Sequence, residues 1–528
     1  MAELMLTQAP VQGPQEDPWA AIVLSLDGGG VRGLSSLYIL REIMKEIKRL
    51  DDEAPAGDRL EQGSNGRLPL PCHYFDFIIG TSTGGLIAIM LGRLRMGVTD
   101  CIQQYWVLSN AIFRPTRQRY LQLYSRKKVQ NAAKEVVKKY CSCHQGEDGV
   151  CNGGEDLRQY DYDEEGTRSS NPALANKTCR VAVLTVREGG ITTFEPRQND
   201  KLILFRSYNH SVQYRTNLSS QPKELNPRTL ENCKLRIHEA CSATSAAPTY
   251  FRSVWLRGRK FIDGGVQANN PSIHAWNEAT QMAYTTPPHA LVSIGTGMSK
   301  KYDRFSIRSF ICFVARNITD TERDHETARG LPGPGRYFRF NVPEGPLNTV
   351  HKGLAKIKLS ACKKKHKRPW HVRVANRLSQ KQPASPAVPN LLSDANPTNG
   401  SETNTTNTPA VSRPPTRRET SKRVKEVAAE DECLRRDVEE KRKGGFKPSK
   451  YDYKTFDDIR DRTIQYCNSI QEGEQDNHDI KKLIISCATM LREQSLRRRN
   501  LERAGTPGVR SFTQFRKHPN PKSKRTEW

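Results

Sequence analysis

Residues 74–91 have the sequence YFDFIIGTSTGGLIAIML. The apolar run at its start predicts a buried strand, and the apolar run at its end predicts a buried helix. Between them lies Gly80-Thr81-Ser82-Thr83-Gly84, a G-x-S-x-G pattern in the strand–turn–helix context that is typical of a nucleophile elbow. A serine on so sharp a turn has a strained backbone and an exposed hydroxyl, and the glycines let strand and helix approach closely. By itself the pattern is often only a turn, so we interpret Ser82 as a candidate nucleophile that needs partners.

A glycine-rich turn about fifty residues upstream is the second element. Residues 21–26 (AIVLSL) predict a strand of the parallel type, and they run into Asp27-Gly28-Gly29-Gly30-Val31-Arg32-Gly33. A helix follows, with apolar residues at helical spacing from Leu37 to Ile47. Backbone N–H groups that converge at such a turn bind anions. The anion is either a cofactor phosphate or the oxyanion of a tetrahedral intermediate.

The cofactor alternative depends on an acidic residue. The same glycines satisfy the dinucleotide fingerprint G-x-G-x-x-G, which needs an acid about 20 residues further on, at the end of a second strand. Asp51 and Asp52 have that offset, but they follow a helical run and precede the Pro/Gly-rich segment 53–71. The sequence therefore favours an oxyanion site, and we expect no cofactor.

An Asp-Gly-Gly sequence is the third element. Residues 259–262 predict a strand that ends in Asp263-Gly264-Gly265, and Asn269-Asn270-Pro271 begins another helix. An aspartate at a strand end is placed to reach a neighbouring strand end and to act there as a general base. Because its reference pKa of about 3.9 makes aspartate a weak base, we expect burial to raise the pKa of Asp263. Three histidines lie at no obvious strand end in the order serine, acid, histidine, and we expect packing or surface positions for them: His73, His238 and His274.

In this order, the three motifs resemble the patatin-like phospholipase family, and more closely its calcium-independent phospholipase A2 branch in the form common in fungi. The resemblance covers residues 19–297 and includes the strand end Ile294-Gly295-Thr296-Gly297. It implies a lipid acyl hydrolase with a Ser–Asp dyad, in which Ser82 is the nucleophile and Asp263 is the proton acceptor. The implied oxyanion hole consists of Gly28, Gly29, Gly30, Arg32 and Gly33. The elbow residues Gly80, Thr81, Thr83 and Gly84 and the motif glycines Gly264 and Gly265 complete the implied site.

The predicted fold class is α/β. Further apolar runs at 180–186, 202–208 and 291–294 predict strands, with helical segments between them. Alternating helices and apolar strands indicate a mostly parallel central sheet that is covered on both faces. The resemblance implies the three-layer sandwich of patatin-like proteins.

Composition separates a globular domain from a polar, basic C-terminal part. We predict a disordered N-terminus (1–18), an acyl hydrolase domain (19–300) with a surface insertion (141–172), a domain extension (301–350), a basic, low-complexity disordered linker (351–450), C-terminal helices (451–505) and a basic disordered tail (506–528). The insertion contains Cys141, Cys143, His144 and Cys151, whose spacing matches no standard zinc site. We therefore expect no bound metal.

The chain carries a formal charge of +27, and residues 361–528 hold 37 Lys and Arg against 21 Asp and Glu. Such a charge attracts nucleic acid or anionic membrane, but no zinc finger or RNA-binding signature is present, and we expect no specific nucleic acid partner. The alternative to a membrane contact is a solubilising tail or a localisation signal. No apolar run reaches the roughly 20 residues of a membrane span, and the N-terminus lacks a secretory apolar region. We expect a cytoplasmic protein with reduced cysteines that binds a membrane surface peripherally.

Two classes of function follow. The first is a phospholipase A2 or lysophospholipase activity that cleaves fatty acyl esters of glycerophospholipids in lipid catabolism, with acyl transfer to another lipid as a variant. The second is a non-catalytic scaffold that binds lipid or anions. The intact Ser82, Asp263 and glycine-rich loop favour the hydrolase.

Overall fold

The structure is a computed structural model. It describes residues 19–60, 67–112, 124–141, 151–157, 178–188, 201–208, 235–248, 250–282, 287–298, 321–331, 336–343, 450–471, 478–505 and 512–516. The predicted disordered terminus at 1–18 lies outside the described residues. So do nearly all of the predicted linker at 351–450 and most of the predicted insertion (141–172) and tail (506–528).

One mixed sheet forms the centre of the molecule. Its strands are β1 (Ile22–Leu26), β2 (Phe77–Thr81), β3 (Arg180–Arg187), β4 (Lys201–Arg206), β5 (Val254–Leu256), β6 (Arg259–Asp263), β7 (Ala290–Ile294) and β8 (Arg336–Phe340). The strand order is β5-β6-β3-β2-β1-β7-β8, and β4 also pairs with β3. The run from β3 to β8 is parallel, whereas β4, β5 and β6 pair antiparallel with their neighbours. Every residue of β1, β2 and β7 is buried, as expected for parallel strands covered on both faces.

The helices surround this sheet. They are α1 (Gly33–Asp52), α2 (Thr83–Ala88), α3 (Val98–Ile112), α4 (Arg126–Tyr140), α5 (Ile237–Thr244), α6 (Ser272–Met282), α7 (Glu322–Arg329), α8 (Lys450–Cys467), α9 (Ile480–Arg503) and α10 (Phe512–Arg516). A π-helical turn, Ile89–Arg93, continues α2. The short strands β9 (Ile470–Gln471) and β10 (His478–Asp479) pair between α8 and α9. Of the helices in the described part of the chain, none combines the length and the apolar character needed to cross a membrane.

Two apolar clusters lie on opposite faces of the sheet. In β1, Ile22, Leu24 and Leu26 belong to the larger cluster, and Val23 belongs to the smaller one. This alternation follows from the period of two of a β-strand. The larger cluster includes side chains of α1 to α5, α8 and α9, whereas the smaller one includes side chains of α6. The arrangement has three layers, and it confirms the predicted α/β fold with a mostly parallel central sheet.

The C-terminal helices pack against the same domain. The outer side of α1 is covered by α8 and α9, which explains why α1 is buried on nearly all sides. The Thr463 hydroxyl of α8 donates to Ser35 Oγ of α1 at 2.8 Å. In α9, Arg498 pairs with Asp76 at 2.9 Å and donates to the carbonyl of Ala20. The end of α9 therefore lies beside the amino-terminal end of β1, whereas α8 contacts the first turn of α1.

Several boundaries differ from the sequence-based prediction. The strand expected from residue 74 begins only at Phe77, because Pro71–His73 forms a 3-10 turn and the Asp76 carboxylate accepts a bond from Ile22 N at 2.9 Å. The strand predicted at 202–208 is β4, and it runs antiparallel to β3. Neither β5 nor β8 is predicted from the apolar patterns of the sequence. The edge of the sheet next to β7 is therefore formed by a strand that was not predicted.

Candidate active site

The strand register brings the serine and the aspartate together. Thr81, the last residue of β2, pairs with Leu184 of β3, and Asp263, the last residue of β6, pairs with the next residue, Thr185. Because Ser82 directly follows Thr81, this register places it beside Asp263. Ser82 Oγ donates a hydrogen bond to Asp263 Oδ2 at 2.7 Å, although 181 residues separate them along the chain.

The backbone at Ser82 is strained. Its φ of 55° and ψ of −122° lie in a region that non-glycine residues rarely adopt, and such strain concentrates at functional sites. The turn requires glycine at Gly80, where an added Cβ would stand 2.2 Å from the Gly84 carbonyl oxygen. The elbow geometry predicted from the G-x-S-x-G pattern is therefore present, with α2 beginning at the residue after the serine.

Thr244, at the end of α5, holds this turn in place. Its hydroxyl oxygen accepts the Ser82 amide at 2.9 Å and donates to the carbonyl of Leu184 at 2.7 Å. The threonine is fully buried. Sequence reasoning missed this residue, because a lone threonine in an alanine- and serine-rich helix carries no motif.

Asp263 is fully buried, and each of its carboxylate oxygens accepts a hydrogen bond. Oδ2 accepts from Ser82, and Oδ1 accepts from the amide of Gly265 at 2.8 Å. Burial raises the pKa of Asp263 to about 7, although both hydrogen bonds act to lower it. Within the described ranges no histidine is bonded to this carboxylate: His73 precedes β2, His238 lies in α5 and His274 lies in α6. Ser82 and Asp263 thus form a buried hydrogen-bonded pair, and the pKa of its carboxyl lies close to neutrality.

The glycine-rich loop lies directly against the serine. A Cβ added to Gly28 would stand 3.0 Å from Ser82 Cβ. The amide of Gly28 donates to the Asn269 carbonyl at 3.1 Å, and the amide of Gly29 donates to Thr83 Oγ1 at 3.1 Å. Gly30 has a φ of +59°, and no atom lies within 4 Å of where its Cβ would be. No acceptor among the described residues engages the Gly30 amide, so this amide is the best candidate donor to an oxyanion.

The other two predicted loop residues are turned inward. Arg32 is buried, its Nη1 donates to the Gly297 carbonyl at 3.0 Å, and burial lowers the pKa of its guanidinium to about 10. Gly33 begins α1, and an added Cβ there would lie 2.4 Å from the Tyr105 hydroxyl. That hydroxyl donates to the Gly30 carbonyl at 2.5 Å. Arg32 and Gly33 thus stabilise the loop from its inner side.

A buried ion pair supports the start of the same loop. Asp27 is fully buried, and its two oxygens accept from Arg339 of β8 at 3.1 and 2.7 Å. Burial raises the pKa of Asp27 to about 6, while the charge and hydrogen bonds of Arg339 lower it. Burial is the largest single influence on the pKa of Arg339 and lowers it, but the charge and hydrogen bond of Asp27, together with Tyr337 and Glu322, raise it by more in sum. No local pattern pairs these two residues, because they lie 312 positions apart along the chain.

The cysteine-rich segment, at which we expect no bound metal, lies only partly within the described residues. Cys141 and Cys151 are buried thiols, whereas Cys143 and His144 lie outside the described residues. In the part of the chain that the structure describes, no group of three His, Cys, Asp or Glu side chains is placed to hold a metal ion.

Comparisons with known proteins agree with this site. A family model described as patatin-like phospholipase matches residues 24–276. Human "Calcium-independent phospholipase A2-gamma" is 29% identical over 327 residues, which cover 60% of this chain and 34% of the relative. "Phospholipase A I" of Arabidopsis thaliana is 28% identical over 318 residues, which cover 56% of this chain and 22% of the relative. Among solved structures, VipD from Legionella pneumophila matches at 11% identity over 62% of each chain, with a TM-score of 0.26 that supports no argument.

The matched region spans about a third or less of these two curated relatives. The fungal form of the family, expected from the sequence, stays a prediction. The family model covers all three sequence motifs, together with β2, β6 and the last three residues of β1. Residues 24–276 form a domain of the patatin-like phospholipase family.

Proposed function

We propose that this chain is a serine acyl hydrolase of the phospholipase A2 or lysophospholipase type, which cleaves fatty acyl esters of glycerophospholipids in lipid catabolism. The observation that carries the proposal is the 2.7 Å hydrogen bond from Ser82 Oγ to Asp263 Oδ2, at a strained turn beside a glycine-rich loop. The printed names of the relatives, which include phospholipases, support the choice of substrate class.

In the first half of the reaction, Ser82 Oγ attacks the ester carbonyl while Asp263 Oδ2 accepts the hydroxyl proton. The negative charge that develops on the carbonyl oxygen is stabilised by the Gly30 amide. A single donor of this kind contributes about 2.7–4 kcal/mol in other enzymes. When the tetrahedral intermediate collapses, the bond to the glycerol oxygen breaks and Asp263 returns its proton to that oxygen. The products are a lysophospholipid and an acyl ester on Ser82.

In the second half, water attacks the acyl-enzyme. Asp263 accepts a proton from the water as its oxygen bonds to the acyl carbon, and the oxyanion again forms next to the glycine-rich loop. Collapse releases the fatty acid, and Asp263 passes the proton to Ser82 Oγ. An alcohol in place of water would give acyl transfer, and the same residues would serve both reactions.

An apolar pocket beside the serine supports a lipid substrate. Leu86 lies one turn after Ser82 in α2, and the pocket extends between α2, α3, α4 and α5. Its volume is about 20 Å³, so an acyl chain would enter only if the helices around it separated. We call it the acyl pocket, and its lining side chains include Leu86, Met90, Leu108, Ala133, Val136 and Ile237.

We also propose that the protein is cytoplasmic and binds membranes peripherally. The support is the excess of Lys and Arg in residues 361–528, since each basic residue near an anionic surface contributes about 1 kcal/mol. Co-sedimentation of the full chain with phosphatidylcholine vesicles, with and without phosphatidylserine, tests this. Equal binding to both vesicles would refute it.

A fluorophosphonate probe tests the proposed chemistry. We expect covalent labelling of the wild-type chain on the peptide that contains Ser82, and no labelling of Ser82→Ala. Ser125→Ala is a matched control, because Ser125 precedes α4 and makes no side-chain capping bond. Labelling that persists in Ser82→Ala would refute the assignment. Incubation with defined phospholipids and a competing alcohol then measures the ratio of fatty acid to transfer product.

A further inference from the structure

A second charged site lies at the other end of the sheet from Ser82. It is a cleft between the end of α9, the short helix α10 and the turn that precedes β2, and its lining includes Arg499, Arg503, Arg516 and His73. β2 has five residues at about 3.3 Å each, so its amino-terminal end lies about 16 Å from the nucleophile elbow. A phosphate in this cleft therefore cannot belong to the phospholipid whose ester lies at Ser82.

The charge in this cleft is predominantly positive. Glu502 is the acidic side chain in its lining, and Glu502 Oε2 already accepts both the amide and the hydroxyl of Thr513 at 2.9 Å. Arg503 and Thr513 are exposed, so the cleft opens to solvent. Arg499 is 9% exposed and forms one wall.

The cleft has fewer hydrogen-bond acceptors than donors around His73. This side chain lies between the guanidinium groups of Arg95 and Arg516 and can accept a hydrogen bond from only one of them. Arg95 Nη2 lies 3.1 Å from His73 Nε2, and Arg516 Nη2 lies 3.3 Å from His73 Nδ1. A guanidinium only donates, and a neutral imidazole has one acceptor nitrogen and one N–H. One of these two contacts therefore sets a donor against a donor, and a protonated His73 would make both unfavourable.

Two further buried donors show the same shortage. Arg95 Nη1 and Arg499 Nε have no hydrogen-bond partner within the described part of the chain. Both residues are more than nine-tenths buried. The other nitrogens of Arg499 donate to the carbonyls of Arg59 and Gly57, at 2.7 and 3.0 Å, and its Nη2 also lies 3.7 Å from Asp58 Oδ1. An unsatisfied buried donor is costly, and it is more so for a charged group. An anion with several acceptor oxygens would remove this cost at Arg499, which lines the cleft; Arg95 contacts His73 but is not part of the lining.

We propose that this cleft, the arginine cleft, binds a phosphate group, either inorganic phosphate or the phosphate monoester of a lipid headgroup. Arginine forks match the oxygens of phosphate, and a phosphate monoester offers three oxygens to donors from several directions, where a carboxylate offers two. The volume of the cleft is about 550 Å³, within the range of small-molecule sites. The site is separate from the dyad and does not depend on the proposed hydrolysis.

Calorimetric titration of the full chain with inorganic phosphate, at constant ionic strength set by chloride, tests the first source. Flotation with dialkyl-ether phosphatidylcholine vesicles, with and without dialkyl-ether phosphatidic acid, tests the second, since these lipids contain no ester to cleave. Arg503→Gln is the main variant because its side chain is exposed. Arg497→Gln is the matched control: it is exposed on the same helix and does not line the cleft. Arg499→Lys keeps the positive charge but loses the planar guanidinium that can donate to two phosphate oxygens at once.

We expect at least one probe to bind, with a Kd about tenfold weaker in Arg503→Gln or Arg499→Lys and unchanged in Arg497→Gln. Binding of phosphate alone identifies the free ion as the ligand, and binding of phosphatidic acid vesicles alone identifies the headgroup. Three results would overturn the proposal: neither probe binds, both cleft variants bind as tightly as wild type, or Arg497→Gln weakens binding as much as the cleft variants.

Discussion

The amide of Ser82 donates to Thr244 Oγ1 at 2.9 Å, across 162 residues of chain. The same threonine hydroxyl donates to the carbonyl of Leu184 in β3. One side chain therefore connects the strained turn to the central sheet, and it fixes the direction in which the serine oxygen points. This relationship makes Thr244 a positioning residue for the dyad.

Replacing Thr244 with valine should slow hydrolysis while the fold remains. The isosteric change removes both bonds, and a misplacement of about 1 Å at a reacting atom can cost about 100-fold in rate. We expect kcat to fall by about 10- to 100-fold with little change in KM. Thr244→Ser keeps the hydroxyl and should recover most of the rate. A Thr244→Val enzyme that is as fast as wild type would show that the bond does not position the serine.

The pH dependence of kcat/KM should report the base. Burial raises the pKa of Asp263 to about 7, and the mechanism needs its ionised form. Below that pH, kcat/KM should therefore fall about tenfold for each pH unit, and above it the profile should level off. Circular dichroism across the same range checks that the fold persists. A flat profile between about pH 5 and 8 would contradict the role of a buried aspartate.

The same carboxyl should make the fold less stable as pH rises. The folded pKa of about 7 lies above the unfolded value of about 3.9, so the folded state binds more protons between these values. The free energy of unfolding should fall across that window, by at most about 4 kcal/mol from this group. Asp263→Asn can still form hydrogen bonds but has no carboxyl to titrate, so its free energy of unfolding should lack this dependence on pH. Urea unfolding measures the free energy of unfolding of both proteins at about pH 4.5 and 8. Relative to wild type, the variant should be more stable at pH 8 than at pH 4.5. An equal difference in free energy at the two pH values would refute the prediction.

Breaking the Asp27–Arg339 pair should destabilise the domain. Arg339→Leu leaves Asp27 buried without its main partner, and removal of one member of a buried pair typically costs about 3–5 kcal/mol. Adding Asp27→Asn removes the buried charge, so the double variant should recover part of that loss. Urea unfolding of the wild type, the two single variants and the double variant gives the coupling free energy between the two side chains. Additive effects would mean that the pair does not act as a unit.

Filling the acyl pocket should select against long chains. Ala133 lines this pocket from α4, whereas Ala132 on the same helix does not. Each excluded CH2 group costs about 0.8 kcal/mol, so Ala133→Leu should lower kcat/KM for long-chain esters about tenfold or more. Short-chain esters should be hydrolysed at nearly the wild-type rate. Ala132→Leu is the control, and an equal loss for both chain lengths would argue against a chain-binding role.

Much of the site could be predicted from local sequence, because its motifs encode backbone shape. The glycines around Ser82 and in the loop after β1 are needed where Cβ atoms would collide, so the pattern itself signals the turn. The C-terminal helices predicted at 451–505 correspond to α8 and α9. Asp263 could be predicted because it ends a strand and is followed by two glycines.

The supporting residues could not be predicted, because their contacts depend on strand order. Thr244 and Arg339 are single polar residues in ordinary elements, and their partners lie 162 and 312 positions away. The strand β8 was missed, and with it the partner of Asp27. The acceptor shortage in the arginine cleft likewise arises only when α9 and α10 pack beside the turn before β2.

The rate of hydrolysis of a defined phosphatidylcholine by purified wild-type and Ser82→Ala chains tests the central claim most directly. The account predicts that kcat falls by at least about 1,000-fold in the variant, whose far-ultraviolet circular dichroism matches that of wild type. Equal rates in the two folded proteins would contradict it, because the ester would then be cleaved without the Ser82 oxygen.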